Sequence, residues 1–395
     1  MKATTRRDFI RATSLGALAL GVAGRMQGAP VVLPALEPQT RVLGPGEKFG
    51  VGLIGCGGRS ATHVASIKQV PELEIRALCD LLPGAMARRC QDVPGDPKLY
   101  TDYRALVEDP RIDAVVIATP NDTHRDPTIA ALQAGRHVLC EKPMALYPEE
   151  CAAMLAAQAK ARRILLIGTQ RRHTPSLMEF VRRVHGGAIG DVLYAWMNDF
   201  RRDWRRLHDN EADERKYNWR YSNARSGGLT FEMSIHGIDF CNWVMNSEPV
   251  EVVGMGGQHN PLLRPRETTD HAGVLVRYAN GAMLTYGASL YSSGGHGPDV
   301  FSGTLGSAFL EKDQMRLLRQ NYGMVTPPAG LVADELVPLP AGNGNVGLHR
   351  HFAAVMQGKV KPTADGHAGK RGVLIARAAE IAYVQKRYVR IAELG

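Results

Sequence analysis

Val51-Gly52-Leu53-Ile54 runs directly into Gly55-Cys56-Gly57-Gly58-Arg59-Ser60. The first four residues are a short apolar run that reads as a strand. The glycine-rich run then opens a helix expected to reach Gln69. Strand, glycine turn and helix in that order suit a dinucleotide pyrophosphate. Gly55 permits the tight turn, and Gly57 lets the backbone come close to the phosphates. The helix N-terminus adds free N–H groups and a positive dipole end. Ser60 stands where a third glycine is usual, and it is small enough for close helix–strand packing. The next strand, Leu73 to Cys79, ends at Asp80. A carboxylate there accepts both ribose hydroxyls of NAD and repels the 2′-phosphate of NADP. Arg59 argues the other way, because an arginine near the ribose can hold that phosphate. NAD is the expected cofactor, with NADP left open.

Working outward, short apolar strands alternate with helices as far as Gly168. Strands are expected at Ala114–Ala118, His137–Cys140 and Ile164–Ile167. Helices are expected at Pro83–Cys90, Tyr103–Glu108, Pro127–Ala134 and Pro148–Ala161. Such alternation implies parallel β-α-β units buried on both faces. Beyond Gly168 the rhythm changes. A helix is expected at Pro175–His185, a strand at Val192–Asn198 and a helix at Phe231–Met245. Strands then dominate, with Asn280-Gly281 as a hairpin signal between two of them. Late helices are expected at His349–Gln357 and Gly372–Tyr388. The fold class is α/β: a doubly wound Rossmann sheet, then an α+β domain on a mostly antiparallel open sheet. The expected organisation is a leader over 1–30, an arm over 31–46, the dinucleotide domain over 47–168 and a substrate and assembly domain over 169–395.

The chain has 395 residues and a formal net charge of +9. The arginine clusters at 162, 163, 171 and 172 and at 201, 202, 205 and 206 read as solvated surface. No nucleic-acid-binding motif accompanies them, so no nucleic-acid partner is expected. The six cysteines form no C-x-x-C pair and no zinc spacing, so no metal site is expected. Cys56, Cys79 and Cys140 fall at strand ends and read as small buried hydrophobes. Thr5-Arg6-Arg7-Asp8-Phe9 precedes a short apolar run from Ala12 to Gly24. That layout looks like a twin-arginine signal. The run is too short and too rich in Gly and Ala for a membrane anchor. Export through the twin-arginine translocon to the periplasm, or another extracytoplasmic space, is therefore expected.

Cys140-Glu141-Lys142-Pro143 follows a strand, where open parallel sheets face their ligand crevice. A lysine there can hold a substrate hydroxyl. Glu232-Met233-Ser234-Ile235-His236 lies in an expected helix, and residues four apart share a face. The expectation is that the carboxylate orients the imidazole for acid–base work. On spacing alone, both features also read as a surface turn and a satisfied core pair.

Together the glycine turn, Thr119-Pro120-Asn121 with His124, Glu141-Lys142-Pro143 and Gly227-Gly228 through His236 resemble the Gfo/Idh/MocA family. The resemblance runs from Glu47 nearly to the end. It implies hydride transfer between a nicotinamide and a sugar, inositol or related carbon. It places Lys142 beside nicotinamide and substrate, His236 as general acid or base, and Asn121 near the nicotinamide. Thr119, Pro120, His124 and Glu141 join Gly55 to Ser60 and Asp80 as the implied cofactor contacts. The family usually has Asp four residues before the histidine, where this chain has Glu232. Trp204, Tyr217, Trp219, Arg220 and Tyr221 read either as a substrate pocket or as an oligomer contact or packed lid. The family's open sheet face often pairs between subunits, which implies a homo-oligomer.

Export and a nicotinamide site together carry a consequence. Outside the cytoplasm a free cofactor is not resupplied, so a tightly held NAD, recycled in place, is expected. Two alternatives stay open. One is transient oxidation followed by elimination, as in the family's NAD-dependent glycoside hydrolases. The other is a non-catalytic sugar-binding protein.

Overall fold

Six strands form one parallel sheet: Phe49–Ile54 (β1), Leu73–Cys79 (β2), Lys98–Tyr100 (β3), Ala114–Ile117 (β4), His137–Cys140 (β5) and Leu165–Ile167 (β6). Their order is β3-β2-β1-β4-β5-β6, so the order in which strands are added reverses between β1 and β4. This is the doubly wound arrangement, with the ligand crevice at the carboxyl ends of β1 and β4. The computed structural model describes residues 38–202, 218–259, 266–292, 297–312, 314–319 and 334–395. The leader and residues Trp204, Arg205, Arg206 and Tyr217 lie outside the described residues. Among the described residues, no helix is long and apolar enough to cross a membrane.

The helices of this half are Gly58–Ile67 (α1), Pro83–Cys90 (α2), Tyr103–Glu108 (α3), Arg125–Gln133 (α4) and Pro148–Ala161 (α5). Strands β1, β4 and β5 are buried at every residue, as a sheet covered on both faces requires. Part of that cover comes from far along the chain. Leu348, Phe352 and Met356 of the helix Gly344–Met356 join the same core as Val51, Leu53 and Val116. Ala364 also accepts a hydrogen bond from the Ile167 backbone at the edge of β6. The chain thus returns to its first half after building its second. The end of the N-terminal arm docks here too, with Gln39 N–H donating to the Arg162 carbonyl at 3.0 Å.

The second sheet comprises Val192–Phe200 (β7), Pro249–Gly257 (β8), His271–Tyr278 (β9), Met283–Ser289 (β10), Asp299–Gly303 (β11), Gly306–Glu311 (β12), Gln314–Arg319 (β13), Asp334–Pro338 (β14) and Val389–Arg390 (β15). Among the described residues its order is β14-β13-β12-β11-β7-β10-β9-β8-β15. Every pairing is antiparallel except β7 with β10. The hairpin expected at Asn280-Gly281 joins β9 to β10, and Gly281 has φ +86° as the turn demands. Pro175–His185 (α6), Asn223–Ser226 (α7), Ile235–Met245 (α8), Gly344–Met356 (α9) and Gly366–Gln385 (α10) complete the described helices. One face of the sheet packs on α8 and α10. Gly254 lets it come close, since a Cβ there would lie 2.5 Å from the Ala379 carbonyl oxygen.

One expectation about charge is overturned. Arg172 is buried, not solvated. Its guanidinium makes two bonds of 2.8 Å to the buried Asp239 carboxylate and a third, of 3.1 Å, to the Thr363 carbonyl. It therefore ties the β6 edge to α8 and to the returning chain. Removing one partner of a buried pair strands the other charge at a cost of about 3–5 kcal/mol. Arg172→Ala is expected to lower the urea-derived stability by about that amount. Arg172→Ala with Asp239→Ala should cost clearly less than the two single losses added together. Strict additivity in the double-mutant cycle would show that the pair is not coupled.

Candidate active site

The carboxyl ends of the parallel strands deliver Gly55, Asp80, Thr119, Glu141 and Gly168 to one crevice. Gly55 has φ +93°, and a Cβ there would come within 2.7 Å of the Ala118 carbonyl. Only glycine makes this turn without strain. Gly57 and Gly58 are exposed, and nothing lies within 4 Å of a Cβ built on either. Gly57 caps α1 without any side-chain hydrogen bond, so the first N–H groups of the helix are left to other partners. Ser60 is fully buried; its hydroxyl donates to the Gly57 carbonyl at 2.5 Å and accepts from Arg89 at 2.8 Å. It keeps the close packing expected of it and also braces the turn.

Asp80 accepts the Cys56 N–H at 2.7 Å and the Leu82 N–H at 2.9 Å, one on each oxygen. Each oxygen keeps lone-pair capacity for a ribose hydroxyl. Arg59 is not directed to Asp80. It donates to Glu141 at 2.7 Å and to Asn345 at 2.9 Å. Two of the three guanidinium nitrogens of Arg59 are thus engaged away from Asp80. An open glycine turn, an uncapped helix start and a carboxylate at the ribose position fit NAD. Cys56 and Cys79 are buried with thiols pushed up to about 12, by burial first and Asp80 second. They are inert packing groups, and among the described residues no cysteine is paired.

Lys142 reaches across to the second layer. Its ammonium donates to the Glu232 carbonyl at 2.8 Å and to Glu232 Oε2 at 3.1 Å. Glu232 Oε1 accepts from Arg220 at 3.0 Å, and Asn121 Nδ2 lies 3.3 Å from Oε2. Asn121 also donates to the Ser226 carbonyl at 2.9 Å. Burial alone would raise the Glu232 carboxyl, but the charges of Lys142 and Arg220 and these hydrogen bonds hold it below its usual range. The structure thus brings together Lys142, Glu232 and Asn121, three of the candidate residues, and adds Arg220.

The expected Glu232–His236 pairing is different in detail. Thr230–Ser234 forms a turn of π-helix before α8 begins at Ile235. The wider turn alters the four-residue stacking on which the expectation rested, and Glu232 faces Lys142 instead. His236 Nδ1 is buried with no hydrogen-bond partner among the described residues. Burial, then the Lys142 and Arg171 charges, push the His236 imidazole well below its ordinary value. It is neutral near pH 7, the form a general base needs.

His124 has a bracing position. Its ring nitrogens face the Pro143 carbonyl at 2.8 Å and the Thr119 carbonyl at 3.0 Å, and the side chain is buried. It pins the Lys142 turn to the loop after β4. Tyr221 is likewise buried, while Arg220 lies over the Trp219 ring at 4.6 Å. Among the described residues no group of His, Cys, Asp or Glu has a metal-site arrangement.

Two family models cover most of the described fold. Residues 49–169 match the oxidoreductase family with an NAD-binding Rossmann fold, and residues 178–309 match the GFO/IDH/MocA C-terminal domain. The uncharacterized oxidoreductase YrbE of Bacillus subtilis (strain 168) is 31% identical over 260 residues, covering 65% of this chain and 72% of YrbE. The chain belongs to the Gfo/Idh/MocA family. This Gfo/Idh/MocA protein is an NAD-dependent oxidoreductase. It is also 26% identical to levoglucosan dehydrogenase of Pseudarthrobacter phenanthrenivorans, over 81% of this chain and 93% of that one. A levoglucosan dehydrogenase solved with NADH and levoglucosan shares the fold at a TM-score of 0.75 and 22% identity, covering 87% and 99% of the two chains.

The neutral histidines of this Gfo/Idh/MocA chain carry a testable consequence. Burial is the leading cause that holds His137, His173 and His349 at about 3. His236 is lowered in the same direction. An unfolded histidine takes up its proton near about pH 6.5. Below that pH the unfolded chain binds more protons than the folded one. The stabilisation is therefore complete above about pH 6.5 and is lost as pH falls toward the folded values. Urea midpoints measured from about pH 7.5 down to about pH 5 should fall, most steeply below about 6.5. A flat profile would contradict the buried neutral assignment.

Proposed function

We propose that this oxidoreductase acts on a secondary alcohol of a sugar or cyclic polyol, with Lys142 and His236 as its catalytic residues. The Lys142–Glu232 contact carries the reading. It fixes an ammonium at the carboxyl end of β5, where the neutral imidazole of His236 also feels its charge. The levoglucosan and inositol dehydrogenases among its relatives support the substrate class.

NAD, when bound, supplies the acceptor or donor of hydride. The rest is done by side chains. Two of the three Lys142 donors are taken by Glu232, which leaves one for a substrate oxygen. Glu232, held by Arg220 and Asn121, fixes the direction of that remaining donor. The neutral imidazole of His236 accepts the hydroxyl proton as the carbon is oxidised and returns it in reduction.

We further infer export by the twin-arginine route, retention of NAD through turnover, and assembly into a homo-oligomer. The Arg6-Arg7 leader supports the first. The open sheet face supports the last, because Trp196, Leu275 and Val253 stand exposed on neighbouring strands in one row across β7, β10, β9 and β8.

A panel of sugars and polyols offered with NAD+ or NADP+ tests the chemistry. NADH formation with at least one of them is expected, with NAD+ preferred. Lys142→Ala and His236→Asn should each lower kcat/KM by about 100- to 10,000-fold. Unchanged turnover in either variant removes that residue from the mechanism. Cleavage of a glycoside without net NADH would replace simple oxidation by oxidation and elimination.

Protein isolated from the extracytoplasmic fraction tests the remainder. Mass spectrometry after denaturation should release close to one NAD(H) per chain, and light scattering before denaturation should give a multiple of the chain mass. A cofactor-free monomer found only in the cytoplasm would overturn all three inferences.

A further inference from the structure

Among the described residues the charge around Lys142 does not balance, and the excess is positive. Glu232 is largely buried and shared between two cations: Lys142 Nζ donates to Oε2 at 3.1 Å, and Arg220 Nε donates to Oε1 at 3.0 Å. The neighbouring carboxylates already have arginines of their own. Glu141 has Arg59 at 2.7 Å, Asp122 has Arg225 at 3.5 Å, and Asp199 has Arg201. A third cation, Arg171, stands in the turn after β6 and makes no ion pair among the described residues. Its neighbour Arg172 is bonded to Asp239, which holds that turn against α8 one helical turn beyond His236. After Lys142, Arg171 is the cation that bears most on the His236 imidazole.

Arg220 is placed for a ligand more than for the fold. Its Nε serves Glu232, and among the described residues neither terminal nitrogen makes a hydrogen bond. The side chain stays 30% exposed. It is nevertheless held in place, because its guanidinium lies over the Trp219 ring at 4.6 Å. The backbone beneath it is fixed as well. The Ser226 hydroxyl donates to the Arg220 carbonyl at 3.1 Å, and Asn121 donates to the Ser226 carbonyl at 2.9 Å. A guanidinium anchored at Nε offers its remaining N–H groups as a planar fork, which matches a carboxylate. The dinucleotide phosphates do not claim it. Their place is at Gly57 and Gly58, where α1 begins, whereas Arg220 stands across Glu232 from Lys142.

We propose that Arg220 is a specificity-determining residue that binds a substrate carboxylate, so that the preferred substrate is a sugar acid with its acid group close to the carbon oxidised. The inference rests on the function proposed above and narrows its substrate class. Lys142 and Arg220 hold opposite oxygens of the one Glu232 carboxylate. A molecule that meets both therefore has its reacting hydroxyl and its acid group near each other, as uronates and aldonates do. A neutral sugar in the same position leaves the fork unpaired and the positive charge uncompensated, which discriminates against it.

Initial rates of the full chain with NAD+ provide the test. D-Glucuronate, D-galacturonate and D-gluconate are compared with D-glucuronamide, D-glucose and D-galactose. The best acid should exceed every uncharged compound in kcat/KM by about 10- to 100-fold, the range for a hydrogen bond to a charged group. Arg220→Gln keeps a donor for Glu232 but loses the charge and the fork, and the acid-to-neutral ratio should fall toward one. An arginine that only positions Glu232 would lower both classes alike, and an unchanged ratio in Arg220→Gln overturns the proposal. So does a wild type that prefers neutral sugars, and that comparison holds even where the variant fails to fold. Absence of any turnover by the wild type would overturn the function instead. Calorimetry of the same compounds on the NAD-loaded protein then decides the inference separately. Acid binding that is lost in Arg220→Gln would sustain it, and failure of every acid to bind would overturn it.

Discussion

A carboxylate taken out of water must be surrounded by positive charge or by donors. This chain buries two such groups on either side of Lys142, and much of the crevice follows from satisfying them. Glu141 draws in Arg59 and His63 from α1. Glu232 draws in Lys142, Arg220 and Asn121. The first set holds the dinucleotide helix against the β5 turn. The second holds the β5 turn against the second domain. Lys142 sits between them, so its ammonium is located by contacts from both halves of the molecule.

That arrangement explains why the chain returns to its first half. Asn345 accepts from Arg59, and His349 backs His63, so α9 completes the surroundings of Glu141. The same helix supplies Leu348, Phe352 and Met356 to the core beneath the parallel sheet. One element thus covers apolar strand surface and closes a polar network. Loss of α9 packing would be felt at Lys142 through Glu141, without any direct contact between the helix and the ammonium.

The parallel sheet was legible because its signals are local. A strand, a glycine turn and a helix start lie within a dozen residues, and each later strand ends at a turn residue of the crevice. Lys142 was legible for the same reason. The network around it was not. Nothing in the surroundings of residue 63 points to residue 349, since their meeting depends on how α9 is carried back across the molecule. Arg220 sat among several plausible pocket residues, and only its bond to Glu232 separates it from Trp219 and Tyr221. Strands β3 and β13 to β15 were missed because their apolar patterns are short and they lie at or next to a sheet edge. Arg172 looked like surface because its neighbours in sequence are basic, while its partner Asp239 is 67 residues away.

The pairing of Glu232 with His236 failed for an instructive reason. Residues four apart stack only on an α-helix of regular pitch. The π turn over Thr230–Ser234 widens that pitch at the residue in question. Its effect is to separate two jobs. Glu232 is left to Lys142, which needs an anionic partner to hold its position. His236 is left without a bonded carboxylate, and the charge of Glu141 does not offset burial and the cations around it. A histidine bonded to Glu232 would be biased toward imidazolium and would hold its proton too well to act as a base near pH 7. The irregular turn, with a glutamate long enough to reach across the crevice from it, therefore leaves the Lys142 ammonium ion-paired and the His236 imidazole neutral.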